Sequence, residues 1–438
     1  MSEHLVLKDK IKWTTDSTRV VPIKVTLKNV IPIANKIGIT RIADITEMDV
    51  LRIPNYSVVL PGTEDYIWVY SGKGVTKLHA KASALMEAVE RFSALPSSGY
   101  KKFISGTYEK LSKNYDVLHP SDVVEPLAYE FSEDMYMDYI KGYDIVNQEQ
   151  VLVPVPLALF RYSPQPPAVN PFSLHHTNGL ASGNVMEEAI CHSLCELIER
   201  DAVSLAELKA SAIPFHILKS LSSNFVHMGY DLDAIKSADF VDDYTIFPDL
   251  DCCGIDFPAC LDLIKQFEKS KIPLFIKDIT SDIGIPSFIA GSIEWITHDY
   301  GYLAEGHGTH PNARIALIRA ITEVSQTRAA NIQGARDDLR KIAYGQSNND
   351  DKRMWQFMKS KDTVKFGSIT TFIYDNILDD INLMKSKLIK SGLSRIIVID
   401  LTNPNIGIPV VRTIVPGLET FKISKSVIGN RGRRYFTS

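Results

Sequence analysis

The stretch SGKGVTKLHAKASALMEAVER, residues 71–91, decides how this chain is interpreted, because it places a glycine-rich turn directly before an amphipathic helix. A phosphate-binding P-loop would require Gly, four residues and then Gly-Lys-Ser/Thr. Here Gly74 follows Gly72-Lys73, and the residue five positions before Gly72 is not a glycine. The stretch is therefore not a P-loop. The feature left to explain is the helix, which carries Ser83, Glu87, Glu90 and Arg91.

The acidic pattern of this helix occurs again further along the chain. SALMEAVER at 83–91 corresponds to HSLCELIER at 192–200, 109 positions later, and a glycine lies 13 residues before the first glutamate in both copies. A weaker third copy, GHGTHPNARIALIRAITEVSQTR at 306–328, carries Glu323 and Gln326 in the paired positions. Three such units are hard to attribute to chance, so we interpret them as internal repeats. The positions matched between the first two copies are Glu87 with Glu196, Glu90 with Glu199, and Arg91 with Arg200.

A second pair of related segments supports the same view. Residues 261–294 and 381–417 each indicate a helix, a strand, a turn and a strand, with Asp-x-Thr after the first strand and Gly-Ile-Pro before the second. Their apolar runs are rich in Val and Ile and bounded by turn residues, which favours strands. The whole chain therefore predicts a large single α/β (α+β) fold with internal pseudo-symmetric helix–strand repeats. We assign residues 1–70 to an N-terminal lead-in that is not an independent fold, and 71–438 to the main domain.

The bulk composition excludes several classes of function. The chain has 438 residues, and its formal net charge of −4 gives no overall attraction to nucleic acid or anionic membranes. No apolar run approaches the roughly 18 residues of a membrane span. Five cysteines are an odd number and too few for a disulfide framework. We expect a cytoplasmic protein with no nucleic-acid or membrane partner.

An acidic stripe beside an apolar stripe is either a solvated helix face or a lining of buried carboxylates. Repetition on two helices favours buried carboxylates, and paired carboxylates facing one cleft would repel each other unless cations lie between them. Oxygen ligands without His or Cys suit Mg²⁺, and arginines at 91, 200 and 319 suit phosphate contacts. The sequence thus predicts a metal–nucleotide site. On the first helix, Ser83, Glu87 and Glu90 lie within about 60° of one another on one face. On the second, Glu188, Glu196 and Glu199 span about 80°.

At these motifs the chain resembles the YcaO family, ATP-dependent enzymes that modify peptide backbone amides. The resemblance covers nearly the whole chain and also includes GITRIADITEMD (38–49), TNGLASGNVMEEAICHSLCELIERDA (177–202) and IPVVRTIVPGLE (408–419). It implies that residues 71–438 form a catalytic domain that binds ATP and Mg²⁺. The metal ligands that it implies are Glu87, Glu90, Glu188, Glu196 and Glu199. The implied nucleotide contacts are Ser83, Ser182, Asn184, Glu323 and Gln326, and the implied catalytic residues are Arg200 and Arg319.

The resemblance also implies a reaction. A nucleophile adds to the amide carbonyl, the carbonyl oxygen attacks the γ-phosphate of ATP, and phosphate leaves. A Cys, Ser or Thr side chain of the substrate would give an azoline ring, whereas sulfide would give a thioamide. Azoline-forming members commonly end in Pro-x-Pro-x-Pro, but no proline follows Pro416 here. Motifs such as YSGKG and QTRAANIQGAR look more like the thioamide-forming branch.

That branch includes enzymes that install thioglycine in methyl-coenzyme M reductase, often with a TfuA-type protein that helps to deliver sulfur. We therefore expect a peptide or protein substrate, a TfuA-type partner and a homodimer. Two alternatives stay open, an azoline-forming cyclodehydratase that acts on a ribosomal peptide and a non-catalytic peptide-binding scaffold. The basic end of the chain, with Arg431, Arg433 and Arg434, is interpreted as a solvated tail, and the alternative is a tail that reaches an active site or a substrate peptide.

Overall fold

The computed structural model describes residues 5–61, 67–96, 101–212, 228, 245–297, 300–334, 355–424 and 426–437. The fold is the mixed helix and sheet assembly predicted from the sequence. The helices in these ranges are α1 Ile23–Lys36, α2 Lys77–Ser93, α3 Tyr108–Leu111, α4 Val155–Ala158, α5 Met186–Glu207, α6 Pro258–Lys269, α7 Ala313–Gln333, α8 Ile377–Lys390, α9 Phe421–Ser424 and α10 Asn430–Thr437. The strands are β1 Arg41–Asp44, β2 Asn55–Pro61, β3 Ile67–Lys73, β4 Ile104–Thr107, β5 Tyr136–Asp144, β6 Glu149–Pro154, β7 Leu180–Ser182, β8 Asp249–Asp251, β9 Phe275–Asp278, β10 Ser287–Thr297, β11 Tyr300–Thr309, β12 Thr363–Lys365, β13 Ile397–Asp400 and β14 Val410–Ile414.

The strands of the described residues form three sheets. β1, β2 and β3 make an antiparallel three-stranded sheet. A five-stranded sheet has the order β11-β10-β9-β8-β12 and is antiparallel except between β8 and β12. The third sheet has the order β4-β5-β13-β14-β7, with β6 also paired to β5. Buried apolar side chains fill the space between the helices and these sheets.

Three strand–turn–helix units, β3–α2, β7–α5 and β11–α7, correspond to the three sequence repeats. Each helix packs against its own strand and also against the strand of another unit, α2 against β7, α5 against β11 and α7 against β3. This cyclic order closes the three units into a ring. The predicted internal pseudo-symmetry is confirmed.

Glycine and alanine let the backbones of strand and helix touch within these units. A Cβ atom on Gly72 would lie 2.1 Å from Ala84 N and 2.2 Å from Ala80 O. A Cβ atom on Gly308 would lie 2.0 Å from Ala316 O. Glycine is required because no side chain fits against backbone atoms at these distances. The close contact explains why Gly and Ala recur at matching positions of the repeats.

We expect Gly72→Ala to destabilise the protein by about 1–3 kcal/mol, because the clashing atoms belong to the helix backbone and cannot rotate away. Urea unfolding of the variant measures this loss. Gly367→Ala is the matched control, since a Cβ atom there meets nothing within 4 Å. Equal midpoints for the two variants would contradict the close packing of β3 on α2.

The second pair of sequence repeats is also observed, as α6–β9–β10 and α8–β13–β14. The Asp-x-Thr motif shapes the turn between the two strands. Asp278 Oδ1 accepts a hydrogen bond from Thr280 N (2.9 Å), and Thr280 Oγ1 accepts one from Ser287 N (3.1 Å). The second copy makes the same two bonds with Asp400, Thr402 and Val410 (2.9 and 3.2 Å).

The N-terminal lead-in is joined to the main domain by pairing and packing. The predicted boundary at residue 70 lies within β3, and β1 and β2 belong to the same sheet. Before α1, Lys8 N donates to Glu187 Oε1 (2.8 Å), and Lys12 Nζ pairs with Asp380 Oδ2 (2.6 Å) on α8. These contacts agree with the interpretation that the lead-in is not an independent fold, and the division itself stays a prediction.

The interpretation of the basic tail as solvated is wrong for Arg431. Its guanidinium forms a two-pronged ion pair with Asp201 of α5, with both N···O distances 2.8 Å, and the two side chains are 5% and 0% exposed. Arg433 and Arg434 are exposed as expected. Asp201 directly follows Arg200, so α10 is fixed to the helix that carries the acidic motif.

Candidate functional site

The repeated acidic residues lie where α2, α5 and α7 come together. Glu90 of α2 is 7% exposed and Glu199 of α5 is 3% exposed. Glu90 interacts electrostatically with Glu196, and Arg319 of α7 interacts with both Glu196 and Glu199. A solvated helix face is therefore excluded for Glu90 and Glu199, and the carboxylates of two helices share one cleft.

Backbone groups of the neighbouring strands fix the second polar residue of each helix. These polar contacts follow the same cyclic order as the helix–strand packing, because each of them joins a helix to the strand of another unit. The preorganised side chains therefore need little rearrangement to meet a ligand. Two hydrogen bonds fix these residues, from Thr309 N–H to Glu199 Oε2 (3.1 Å) and from Gln326 Nε2 to Ser71 O (2.6 Å), and the backbone N–H of Ser182 lowers the pKa of Glu90.

Burial and mutual repulsion make the carboxylates costly to ionise. Burial raises the pKa of Glu90 well above its ordinary value, Arg91 opposes this, and the negative charges of Glu196 and Glu87 raise the pKa further. Burial also raises the pKa of Glu196. The positive charges of Arg200 and Arg91 lower this pKa, and the negative charge of Glu199 raises it. A cation placed among these groups would relieve both effects.

The two arginines proposed as catalytic residues lie beside these carboxylates. Burial alone would lower the pKa of Arg200, but Glu199, Glu323 and Glu196 raise it above the ordinary value. The pKa of Arg319 is likewise raised by Glu199 and other groups against burial. Both guanidinium groups therefore stay charged and are held by the acidic helices.

Glu188, another predicted metal ligand, is hydrogen-bonded to the lead-in segment and to Asn184, and its role as a metal ligand stays a prediction. Its carboxylate accepts hydrogen bonds from Asn184 N and Nδ2 (both 2.8 Å) and from Val20 N (2.7 Å). Asn184 and Glu188 thus form one network with the lead-in segment. Ser182 donates its hydroxyl to Met86 O (3.1 Å), so its backbone rather than its side chain faces the carboxylates.

Ser83 lies exposed on α2, one turn before Glu87. Glu323 and Gln326 lie on the face of α7 that meets β3. These positions agree with the predicted arrangement, and the individual roles as ligands stay predictions.

Sequence reasoning missed Lys73, His307 and His192. Lys73 Nζ pairs with Glu323 Oε2, and His307 Nδ1 lies 3.5 Å from Glu323 Oε1. Burial lowers the pKa of His192 well below its ordinary value, as do Arg319 and nearby cations that include Lys73. The sequence signal for Lys73 was its position, 14 residues before the first glutamate of its helix, like Ser182 and Thr309 in the other units.

The residues fit Mg²⁺. The two acidic pairs supply four carboxylates, the oxygen ligands that Mg²⁺ prefers, and burial, with repulsion between the carboxylates, raises the pKa of Glu90 and of Glu196. The imidazole ring of His307, which can supply a nitrogen ligand, also lies near Glu199. Among the described residues, Glu199, His307 and Glu323 bring their ligand atoms within 4.8 Å of one another.

Comparison with known proteins identifies the family of this chain. The family model described as YcaO cyclodehydratase, ATP- and Mg²⁺-binding, matches residues 71–419. The chain belongs to the YcaO family. The ATP and Mg²⁺ predicted from the acidic repeats are the ligands of this family, which confirms that part of the interpretation.

Two relatives of this YcaO protein are similar over most of their length. An uncharacterized protein of Methanothermobacter thermautotrophicus is 32% identical over 404 residues, which cover 91% of this chain and 94% of the relative. An uncharacterized protein in the tfuA 3′ region of Rhizobium leguminosarum bv. trifolii is 29% identical over 398 residues, 87% of this chain and 84% of the relative.

A solved structure shows the same YcaO fold. The structure of YcaO from Methanopyrus kandleri bound with AMPPCP and Mg²⁺ has a TM-score of 0.71, with 23% identity, and the match covers 97% of this chain and 98% of that one. In the described part of this YcaO chain, no helix has the length and apolar character needed to cross a bilayer.

Proposed function

We propose that this YcaO protein activates a peptide backbone amide by O-phosphorylation with Mg-ATP, and that sulfide then gives a thioamide. The observation that supports ATP-dependent chemistry best is the set of buried, facing carboxylates with arginines beside them. Phosphoryl transfer needs positioning and charge compensation more than covalent chemistry from the protein. The site offers both.

Each residue type has a separate task in this proposal. The pairs Glu87–Glu90 and Glu196–Glu199 would hold Mg²⁺, which when bound offsets the charge of the phosphate oxygens. Arg200 and Arg319 stay charged and would orient the phosphoryl oxygens and stabilise the charge that develops on them. Burial of Glu90 and Glu199 keeps water away from the carboxylates, which strengthens these electrostatic interactions.

Sulfide as the nucleophile is supported by the relative whose gene lies in the tfuA 3′ region. A TfuA-type partner for sulfur delivery is part of the proposal, as are a peptide or protein substrate, a homodimer and a cytoplasmic setting. All five cysteines are free thiols, which suits a reducing setting. The glycine of methyl-coenzyme M reductase is our candidate substrate within the thioamide-forming branch.

A cyclodehydratase is the second candidate, because the matching family model carries that description. It would use the same ATP chemistry, with a Cys, Ser or Thr side chain of the substrate in place of sulfide. A scaffold without catalysis is less consistent with the site. Buried like charges are costly, and a scaffold has no use for them.

The test is mass spectrometry of a glycine-containing candidate peptide after incubation with the protein. With ATP, Mg²⁺ and sulfide, we expect one oxygen to be replaced by sulfur, with release of phosphate. Neither should occur when ATP or sulfide is left out. Loss of one water without sulfide would establish the cyclodehydratase instead, and an unchanged peptide with no phosphate release in every arm would support the scaffold.

A further inference from the structure

A buried arginine beside the acidic cleft lacks a carboxylate partner. Arg412 of β14 is 6% exposed, and among the described residues its guanidinium forms no ion pair with a carboxylate. It donates from Nη1 to His176 O (3.1 Å), and its Nη2 lies 3.4 Å from His176 Nδ1. Its Nε–H is buried and has no hydrogen-bond partner in the described part of the chain. Arginine is almost never fully buried unless it is paired, so this side chain needs an explanation.

The charged groups around Arg412 do not serve it as ion-pair partners. The charges that act on it most are those of Glu125, Glu196, Arg91 and Glu90. Glu125 Oε1 instead bonds to His176 Nε2 (2.8 Å). Glu196 and Glu90 are proposed metal ligands, and Arg91 repels Arg412 because it has the same charge. With a metal ion bound, Arg412 therefore faces Arg91 without a carboxylate of its own.

Two further buried donors on the same side of the cleft have no hydrogen-bond partner among the described residues, Arg91 Nη1 and the Tyr70 hydroxyl. The ion pairs of Arg91 are long, 3.4 Å to Glu87 and 3.8 Å to Glu90. The Tyr70 hydroxyl interacts electrostatically with Arg91. Helix α2 packs against β3, which carries Tyr70, and against β7, to which β14 is paired. Three elements therefore bring three unsatisfied donors, two of them cationic, to one side of the cleft.

Donors without acceptors suit an anion, above all where the donors belong to cations. We propose that Tyr70, Arg91 and Arg412 form an anion site of the cleft, and that its ligand is hydrosulfide, the sulfur nucleophile. This inference rests on the proposed formation of a thioamide.

The other side of the cleft offers separate cations for phosphate. The charges of Arg200 and Arg319 interact chiefly with carboxylates of α5 and α7, whereas the charge of Arg412 interacts with groups of α2 and α5. ATP and hydrosulfide would thus approach the metal-binding carboxylates from two sides. A cyclodehydratase has no need of the second site, because its nucleophile is part of the substrate.

A purely structural role explains only part of this arrangement. The contacts of Arg412 with His176 hold the segment before β7, but they involve Nη1 and Nη2 and leave Nε–H without an acceptor. The Tyr70 hydroxyl holds no other described residue by a hydrogen bond. Phenylalanine would therefore fill the same place if packing were the only requirement.

The test is Tyr70→Phe, which removes one donor and keeps the ring. Because the hydroxyl has no partner among the described residues, the fold loses no hydrogen bond from them. In thioamide formation with saturating ATP and peptide, we expect the KM for sulfide to rise about tenfold, the effect of one hydrogen bond to a charged group. The KM for ATP should not change.

Tyr139→Phe is the matched control. The Tyr139 hydroxyl is also buried without a hydrogen-bond partner in the described ranges, but it lies in a separate apolar cluster with Met137 and Leu152. The KM of this variant for sulfide should equal that of the wild type. A second measurement uses the wild type alone. Bromide, another monovalent anion, should compete with sulfide and not with ATP at constant ionic strength.

The outcomes separate this inference from the proposed function. If the wild type forms the thioamide and Tyr70→Phe keeps the wild-type KM for sulfide, the inference is wrong. A rise in the KM for ATP instead would assign the donors to phosphate and overturn it as well. Should Tyr70→Phe not fold, bromide decides, and inhibition that competes with ATP, or no inhibition, overturns the inference. If the wild type forms no thioamide, the proposed function fails and the inference falls with it.

Discussion

Replacement of Glu199 by Gln is expected to abolish stabilisation by Mg-ATP while leaving the protein folded. The amide keeps the size of the side chain and an oxygen that can accept the Thr309 N–H, but it removes the charge that we propose binds a metal. Gln326 shows that an amide is accommodated at the matching position of α7. Glu90→Gln should behave in the same way, because Glu90 and Glu199 are matched residues of two pseudo-symmetric helices.

Thermal unfolding with and without Mg-ATP measures the effect. At a hundredfold excess of ligand over Kd, wild-type protein should gain roughly 2.7 kcal/mol, and the variants should gain almost none. Amide modification should fall by orders of magnitude, because the charge compensation is needed in the transition state. Without nucleotide, Glu90→Gln should be at least as stable as the wild type, since it removes a buried charge that Glu196 and Glu87 repel.

Glu109→Gln is the control for both variants. Glu109 lies exposed on α3 and pairs with Lys113 at 3.4 Å, outside all three repeats, so its response to Mg-ATP should match the wild type. ATP binding should also disappear in excess chelator. A Glu199→Gln protein that Mg-ATP still stabilises to the wild-type extent would show that the nucleotide site lies elsewhere.

Arg431→Met is expected to cause the largest loss of stability, roughly 3–5 kcal/mol, because it leaves the carboxylate of Asp201 buried without its ionic partner. Asp201 is 0% exposed, and from the described residues it would keep only the hydrogen bond from Glu419 N (2.9 Å). Chemical unfolding at neutral pH measures the loss. Arg433→Met is the matched control, since Arg433 belongs to the same helix and is exposed.

The loss should depend on pH in a defined direction. Burial raises the pKa of Asp201 even with Arg431 against it, and without Arg431 the pKa should rise further. A group with a raised pKa in the folded state stabilises the protein when protonated and loses that contribution as the pH rises. The defect of Arg431→Met should therefore shrink as the pH falls through the folded-state pKa of Asp201.

A second substitution tests the cause. In Arg431→Met/Asp201→Asn the buried group is neutral, so part of the lost stability should return and the pH dependence should disappear. Equal stability of the single and the double variant at every pH would mean that the tail is held by its apolar contacts rather than by the ion pair.

The sequence by itself determined the repeats, and through them the fold class and the two acidic pairs. A helix with Glu-x-x-Glu must present both carboxylates on one face, because this relation depends only on local geometry. Local geometry is also the reason that the Asp-x-Thr motif predicted a turn in both copies. For the same reason Glu87, Glu90, Glu196 and Glu199 could be selected before any contact between helices was known.

Only the tertiary structure decided which distant residues these polar side chains contact. Lys73 reaches Glu323 from a strand 250 residues away in sequence, and Arg431 reaches Asp201 across 230 residues. Glu188, whose role as a metal ligand stays a prediction, also accepts hydrogen bonds from Asn184 and from the backbone of the lead-in segment. Spacing along a helix fixes the direction of a side chain but not its partner. The partner depends on which distant segments the packing of the three units brings to the same place.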